Sequence, residues 1–173
     1  MLLILKILAL SQTSPTQEGN MIILENDKLR KSEICNQILR SLPNWFGIES
    51  AILDYVKDVQ SMKTLIALKD NIPIGFLALT YHNKFTAEIH VMGVIQEFHR
   101  SGIGRSLIFE AEKILKTEGF KYISVKTLSE SRPNKEYDQT RKFYFDIGFI
   151  PVEEFKTLWG EHNPCLLLIK QII

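Results

Sequence analysis

Residues 87–117, AEIHVMGVIQEFHRSGIGRSLIFEAEKILKT, leave the chain few local choices. Apolar side chains alternate and then run together up to Val94 and Ile95, a polar corner follows, and Gly102 and Gly104 precede a second apolar pattern. Ile103, Leu107, Ile108, Ala111, Ile114 and Leu115 share one face at helical spacing, and Gly119 stands where a left-handed C-terminal cap belongs. The stretch predicts a strand, a glycine turn and a helix. His99, Arg100, Ser101, Gly102, Ile103, Gly104 and Arg105 then form the helix start. Backbone N–H groups there have no intrahelical partner, and two glycines remove side chains that would hold a ligand away. An anion is the expected occupant, with Arg100 and Arg105 flanking it. A simple packing turn has the same glycine spacing, so that reading stays open, whereas the dinucleotide fingerprint Gly-x-Gly-x-x-Gly is absent.

The rest of the chain sets bounds on this unit. At 173 residues and 45% hydrophobic, it fits one compact domain with a sizeable core. Its 21 basic and 20 acidic residues leave a net charge of +1, which supplies no overall basic field, so no nucleic-acid partner is expected. Cys35 and Cys165 lie far apart in sequence. A bridge between them stays open, but a reduced, cytoplasmic protein is the plainer reading. Residues 2–10, LLILKILAL, form an apolar run well short of the ~20 residues that span a bilayer. As a secretory signal the run lacks a preceding basic region, is interrupted by Lys6, and leads to a poor cleavage site at Ala9-Leu10-Ser11. No membrane association is expected, and residues 1–20 read as an N-terminal extension ahead of a domain at 21–173. His82, His90, His99 and His162 do not pair at ligand spacings, so no metal site is expected.

Taken in order, residues 21–24 suit a first strand. Ser32 is the expected cap of a helix carrying Ile34, Cys35, Ile38, Leu39 and Leu42 and ended by Pro43. After the loop PNWFGIES, a second helix starts at Glu49 or Ser50 with Ile52, Tyr55, Val56 and Val59 on one side. Residues 64–68 and 74–81 form an antiparallel hairpin across the spacer KDNIP. Strand 86–95, the central helix and strand 122–127 make one parallel βαβ unit. A polar loop follows, then a short helix capped by Asp138 and closed by Gly148, and last a strand pair at 149–155 and 166–170. There is no internal repeat or low-complexity tract. The order β, α, α, β, β, β, α, β, α, β, β gives an α/β (α+β) domain with a mixed, mostly antiparallel sheet.

The spacing His-Arg-Ser-Gly-Ile-Gly at 99–104 resembles the acyl-CoA pyrophosphate loop of the GNAT superfamily of N-acetyltransferases, Arg/Gln-x-x-Gly-x-Gly/Ala, with His99 at the Arg/Gln place. A second segment, RKFYFDIGF, is similar to the superfamily's Ala-x-x-x-Tyr-x-x-x-Gly-Phe, with Thr140 for the alanine and Tyr144 as the tyrosine. The resemblance covers Met21 to the C-terminus, and the element order matches it. It implies a single GNAT-like domain whose strands splay at the acyl-CoA site. Acetyl-CoA would be the cosubstrate, its pantetheine arm lying along Met92, Gly93 and Val94 and its diphosphate held by residues 99–105. A bulge in a core strand is the competing account of Gly93.

The same resemblance implies a proton donor in Tyr144, whose phenol would protonate the departing thiolate; a core aromatic among Phe143, Phe145 and Phe149 is the bland alternative. Many members carry asparagine seven residues earlier, where this chain has Tyr137. Glu88 lies fourteen residues before Gly102, the spacing of the catalytic glutamate in histone-type members, and is the expected general base, with His90 on the same strand face able to share the task. A solvated or structural role suits both equally. Trp45 and Phe46, in a loop that borders the acceptor site in the superfamily, are the expected substrate-binding residues, or else they plug the domain edge. Trp159, Glu161 and His162 raise the same choice from the opposite side. The expected function is direct acetyl transfer from acetyl-CoA to a primary amine of a small molecule or peptide. The alternative is a non-catalytic acyl-CoA-binding sensor. A homodimer is compatible with either.

Overall fold

The fold is built around a sheet whose central strands are apolar on both faces. The computed structural model describes the backbone of residues 14–16, and residues 19–173. In chain order the elements are β1 (Ser14–Thr16), β2 (Asn20–Glu25), α1 (Lys28–Arg40), α2 (Glu49–Asp58), β3 (Lys63–Lys69), β4 (Ile72–Tyr81) and β5 (Thr86–Val94). A short 3₁₀ turn at Gln96–Phe98 leads to α3 (Ile103–Thr117), β6 (Tyr122–Leu128), α4 (Lys135–Asp146), β7 (Ile150–Phe155) and β8 (Cys165–Gln171). The sheet order is β1-β2-β3-β4-β5-β6-β8-β7, and among the described residues only β5 and β6 pair in parallel. The apolar run 2–10 lies outside the described residues. Within 14–16, the backbone pairs with β2.

Strands β3 and β4 are buried over most of their length because helices cover both sheet faces. On one side α3 and α4 bring Leu107, Ile108, Ala111, Leu115 and Tyr144 onto Leu77, Ile89, Val125 and Leu168. On the other, α1 and α2 bring Ile34, Ile38, Leu39 and Ile52 onto Ile66, Phe76, Ala78 and Val91. Each fully buried leucine or isoleucine contributes about 1.5–3 kcal/mol, so the two layers fix the sheet between them. Cys35 and Cys165 are separate, buried free thiols.

Three local expectations need correction. The first helix starts at Lys28, capped by Asp27, whose carboxylate accepts the Arg30 N–H at 2.7 Å. Ser32 lies inside it and donates its hydroxyl to the Val56 carbonyl, tying α1 to α2. The last helix likewise starts before Asp138, because Asn134 accepts the Tyr137 N–H at 3.0 Å. In both cases an earlier Asx residue captures the first free amides. The hairpin turn is also tighter than the spacer KDNIP suggests. Asp70 and Asn71, both at positive φ, make a two-residue turn whose twist matches the strands, and Pro73 falls within β4.

Candidate active site

At the start of α3 the chain turns through Arg100 (φ 62°) and Gly102 (φ 88°). No side chain caps the helix, and the N–H groups of Gly102, Ile103, Gly104 and Arg105 have no acceptor among the described residues. Ser101, Gly102 and both arginines are exposed. Four unpartnered amides and the positive end of a helix dipole therefore meet at one exposed turn that Arg100 and Arg105 flank. Ile103 offers only its amide, since its side chain is in the core. The two glycines do different work. Gly102 takes the left-handed conformation with open space around it, whereas a Cβ on Gly104 would lie 3.1 Å from Met92 Cε and Phe143 Cζ. Gly104 thus lets the helix start close down on β5 and α4.

The strands open just below this turn. β5 and β6 pair only through Thr86–Ile89 and Tyr122–Val125; from there β5 follows β4 to Val94 while β6 follows β8 to Leu128. The Ile95 N–H bonds the Ile74 carbonyl on β4 at 2.9 Å. Alternation along an antiparallel strand then turns the peptide groups of Val94 and Met92 away from β4, into the gap. His99 confirms the direction, reaching the Val94 carbonyl with Nε2 at 2.7 Å. Gly93 faces the other way. A Cβ there would meet Ile38, Leu42 and Phe76 at 3.0–3.4 Å, so its missing side chain admits α1, and the bulge of this strand is elsewhere, at His90.

Tyr144 approaches the gap from the α4 side. It is buried, with Oη 3.9 Å from Met92 Sδ and its ring between Phe143 and Phe149, each at 5.3 Å. Burial pushes its phenol pKa upward, so it stays protonated through the neutral range.

The face toward α2 is polar and charged. Glu88 is buried, and its Oε2 accepts from His82 Nε2 at 2.8 Å and from the Lys126 ammonium. His90 Nε2 lies 3.0 Å from Asp58 Oδ2, and its ring stands edge-on to Tyr55 at 5.4 Å. Trp45 spans the mouth of the gap. Its indole N–H donates to Thr140 Oγ1 at 3.2 Å, its carbonyl accepts the Tyr137 hydroxyl at 2.8 Å, and its ring meets His99 at 5.4 Å. Phe46 instead packs on Tyr55, 6.1 Å between centroids. Trp159, Glu161 and His162 lie in the exposed β7–β8 connection. No cluster of three or more His, Cys, Asp or Glu suited to a metal occurs among the described residues.

A family model, Acetyltransferase (GNAT) family, matches residues 32–149, a span that contains the α3 start, the open strand, Trp45, Glu88, His90 and Tyr144. The chain belongs to the GNAT acetyltransferase family. It is 36% identical over 73 residues to an uncharacterized N-acetyltransferase of Chlorobaculum tepidum; the match takes in 42% of this chain and 47% of that protein, so the chain spans about half the length of this curated relative. The fold is shared with a GNAT-family structure from Desulfovibrio desulfuricans, at TM-score 0.76 and 14% identity over 89% of this chain and 99% of the other. A GNAT-family acetyltransferase from Elizabethkingia anophelis, solved with acetyl-CoA bound, gives a TM-score of 0.68 at 18% identity, over 90% and 99% of the two chains.

In this GNAT chain the sequence motifs mark the helix start, the open strand and Tyr144. They give no warning of Asp58, Lys126, His82 or the Trp45 bridge. Asp58 sits at the end of α2 with nothing local to distinguish it, and Lys126 reads as an exposed strand lysine until Glu88 is placed beside it. Tyr137, at the place of the usual asparagine, hydrogen-bonds Trp45.

Proposed function

We propose that this GNAT protein is an acetyl-CoA-dependent N-acetyltransferase that moves the acetyl group directly to a primary amine. One observation carries the reading: the gap between β5 and β6 runs from unpartnered amides at the α3 start to a buried phenol beside Met92. The residues fit the cosubstrate. Gly102, Ile103, Gly104 and Arg105 would hold the diphosphate by main-chain N–H groups, with Arg100 and Arg105 balancing its charge, and the Met92 and Val94 peptide groups would meet the pantetheine amides. His99 must then yield the Val94 carbonyl or share it. The acetyl thioester supplies an activated carbonyl. Tyr144, kept neutral by burial, donates its proton to the departing sulfur. Neither buried thiol adjoins the gap residues in sequence, and direct transfer in a ternary complex needs no acyl-enzyme.

Trp45 and Phe46 border the acceptor side, and the Asp58 carboxylate supplies negative charge there, that of Glu88 being met by Lys126. An amine that arrives as an ammonium is therefore the acceptor class that suits the site, whether on a small molecule or a peptide.

Thiol release from acetyl-CoA, measured against a panel of primary amines, tests the proposal. Turnover with at least one amine is expected, and Tyr144→Phe should lower kcat by about 100-fold with acetyl-CoA affinity unchanged, the scale of a lost general acid. Binding of acetyl-CoA without turnover on any amine would make the protein a sensor of the cosubstrate instead.

A further inference from the structure

An amine that reaches this site as an ammonium must lose a proton before or during attack, and the geometry points to His90, held by Asp58, as its acceptor. This inference rests on the transferase reading above. Three observations carry it. First, His90 occupies the head of the gap. The β4–β5 ladder passes from Ala78 opposite Val91 to Leu79 opposite Ile89, so His90 is the extra residue of a β-bulge, one position beyond the last β5 residue that pairs with β6. The bulge re-aims the strand where it leaves its neighbour.

Second, the ring is fixed by its far nitrogen. Nε2 lies 3.0 Å from the Asp58 carboxylate, and Tyr55 stands edge-on at 5.4 Å. In the neutral imidazole this pairing puts the proton on Nε2 and leaves the Nδ1 lone pair to accept another. Nδ1 has no hydrogen-bond partner among the described residues, and the side chain is 23% exposed.

Third, Glu88 is already engaged. Its Oε2 receives both Lys126 and His82, so protonating this carboxylate would weaken an ion pair. The charged and titratable groups around His90 are then Asp58 and Tyr55 from α2, Glu88 from β5, Lys126 from β6 and His82 from the turn after β4. Acid and base also lie on opposite faces of the strand. Met92 points to Tyr144 on the α4 side, and His90 points to α2.

The proton count closes. The ammonium loses two protons: one goes to His90 Nδ1 before attack, and as the C–N bond forms and the C–S bond breaks the Tyr144 proton goes to sulfur and the second nitrogen proton leaves to solvent. The imidazolium and phenolate then return to neutral by exchange with solvent, leaving an amide and a free thiol.

The test is the pH profile of kcat/KM for wild type, His90→Gln, Asp58→Asn and Glu88→Gln, with long-range ¹⁵N–¹H spectra of the histidine rings above pH 8. An acidic limb is expected for wild type and Glu88→Gln. It should vanish in His90→Gln, with kcat down about 100-fold, while Asp58→Asn loses about tenfold and Asp58→Glu recovers part of it. The His90 ring should be the Nε2–H tautomer. A limb that survives His90→Gln, a limb lost in Glu88→Gln instead, or an Nδ1–H tautomer would overturn the inference. If wild type binds acetyl-CoA yet acetylates no amine, the transferase reading falls and this inference with it.

Discussion

At the scale of single residues, what decides behaviour is which side chains burial holds neutral. Tyr144 is enclosed by Phe143, Phe149 and Met92, which favours the phenol over the phenolate. Tyr137, half-buried against the Trp45 carbonyl, is pushed up to about 12, and full burial carries the Cys35 thiol from 9.0 to about 12. These shifts favour the folded state only while the groups are protonated. Their contribution is whole below the unfolded values, near 9 and 10, and is lost as pH climbs toward about 12. Thermal melts should show the midpoint falling from pH 9 to 11, and Cys35 should resist a thiol reagent at pH 8 until the chain unfolds. A constant midpoint with rapid Cys35 labelling would show that neither group is buried as described. Tyr144 stands out only through its motif, because a tyrosine among three phenylalanines otherwise reads as core, and its side chain is indeed packed there. Asp58 and Lys126 were illegible because their partners are 32 and 38 residues away in sequence.

At the scale of elements, the unit of strand, glycine turn and helix is as the sequence predicts it, and its tight fit gives a sharp handle. Gly104→Val would force the new side chain against Met92 and Phe143, which stand 3.1 Å from its Cβ, and would lift the first turn of α3 away from β5. Acetyl-CoA affinity should fall about tenfold or more, or about 1.4 kcal/mol, with the circular dichroism spectrum retained. Unchanged affinity would mean that the helix start does not hold the cosubstrate. The strands, the order of elements and the start of α2 at Glu49 could be read from the sequence, while the starts of α1 and α4 could not. Asp27 and Asn134 each precede a polar first turn, so the apolar pattern that reveals a helix begins four or more residues after its true cap.

At the scale of the molecule, one parallel pair in an otherwise antiparallel sheet creates the site. A strand that joins its neighbour for four residues and then leaves it makes a gap open to both helix layers, so Tyr144 and His90 lie on opposite sides of it. The sequence reveals the parallel unit, because a helix must cross between its strands. It does not reveal the closure across the gap, since Trp45 meets Tyr137 and Thr140 over more than 90 residues of chain. The central claim is that unpartnered amides at the start of α3 grip the diphosphate of acetyl-CoA. Backbone amide shifts followed during titration with acetyl-CoA test it most directly. The account predicts that Gly102, Ile103, Gly104 and Arg105 move most and saturate together with Met92 and Val94; saturation that leaves those four amides unmoved would contradict it.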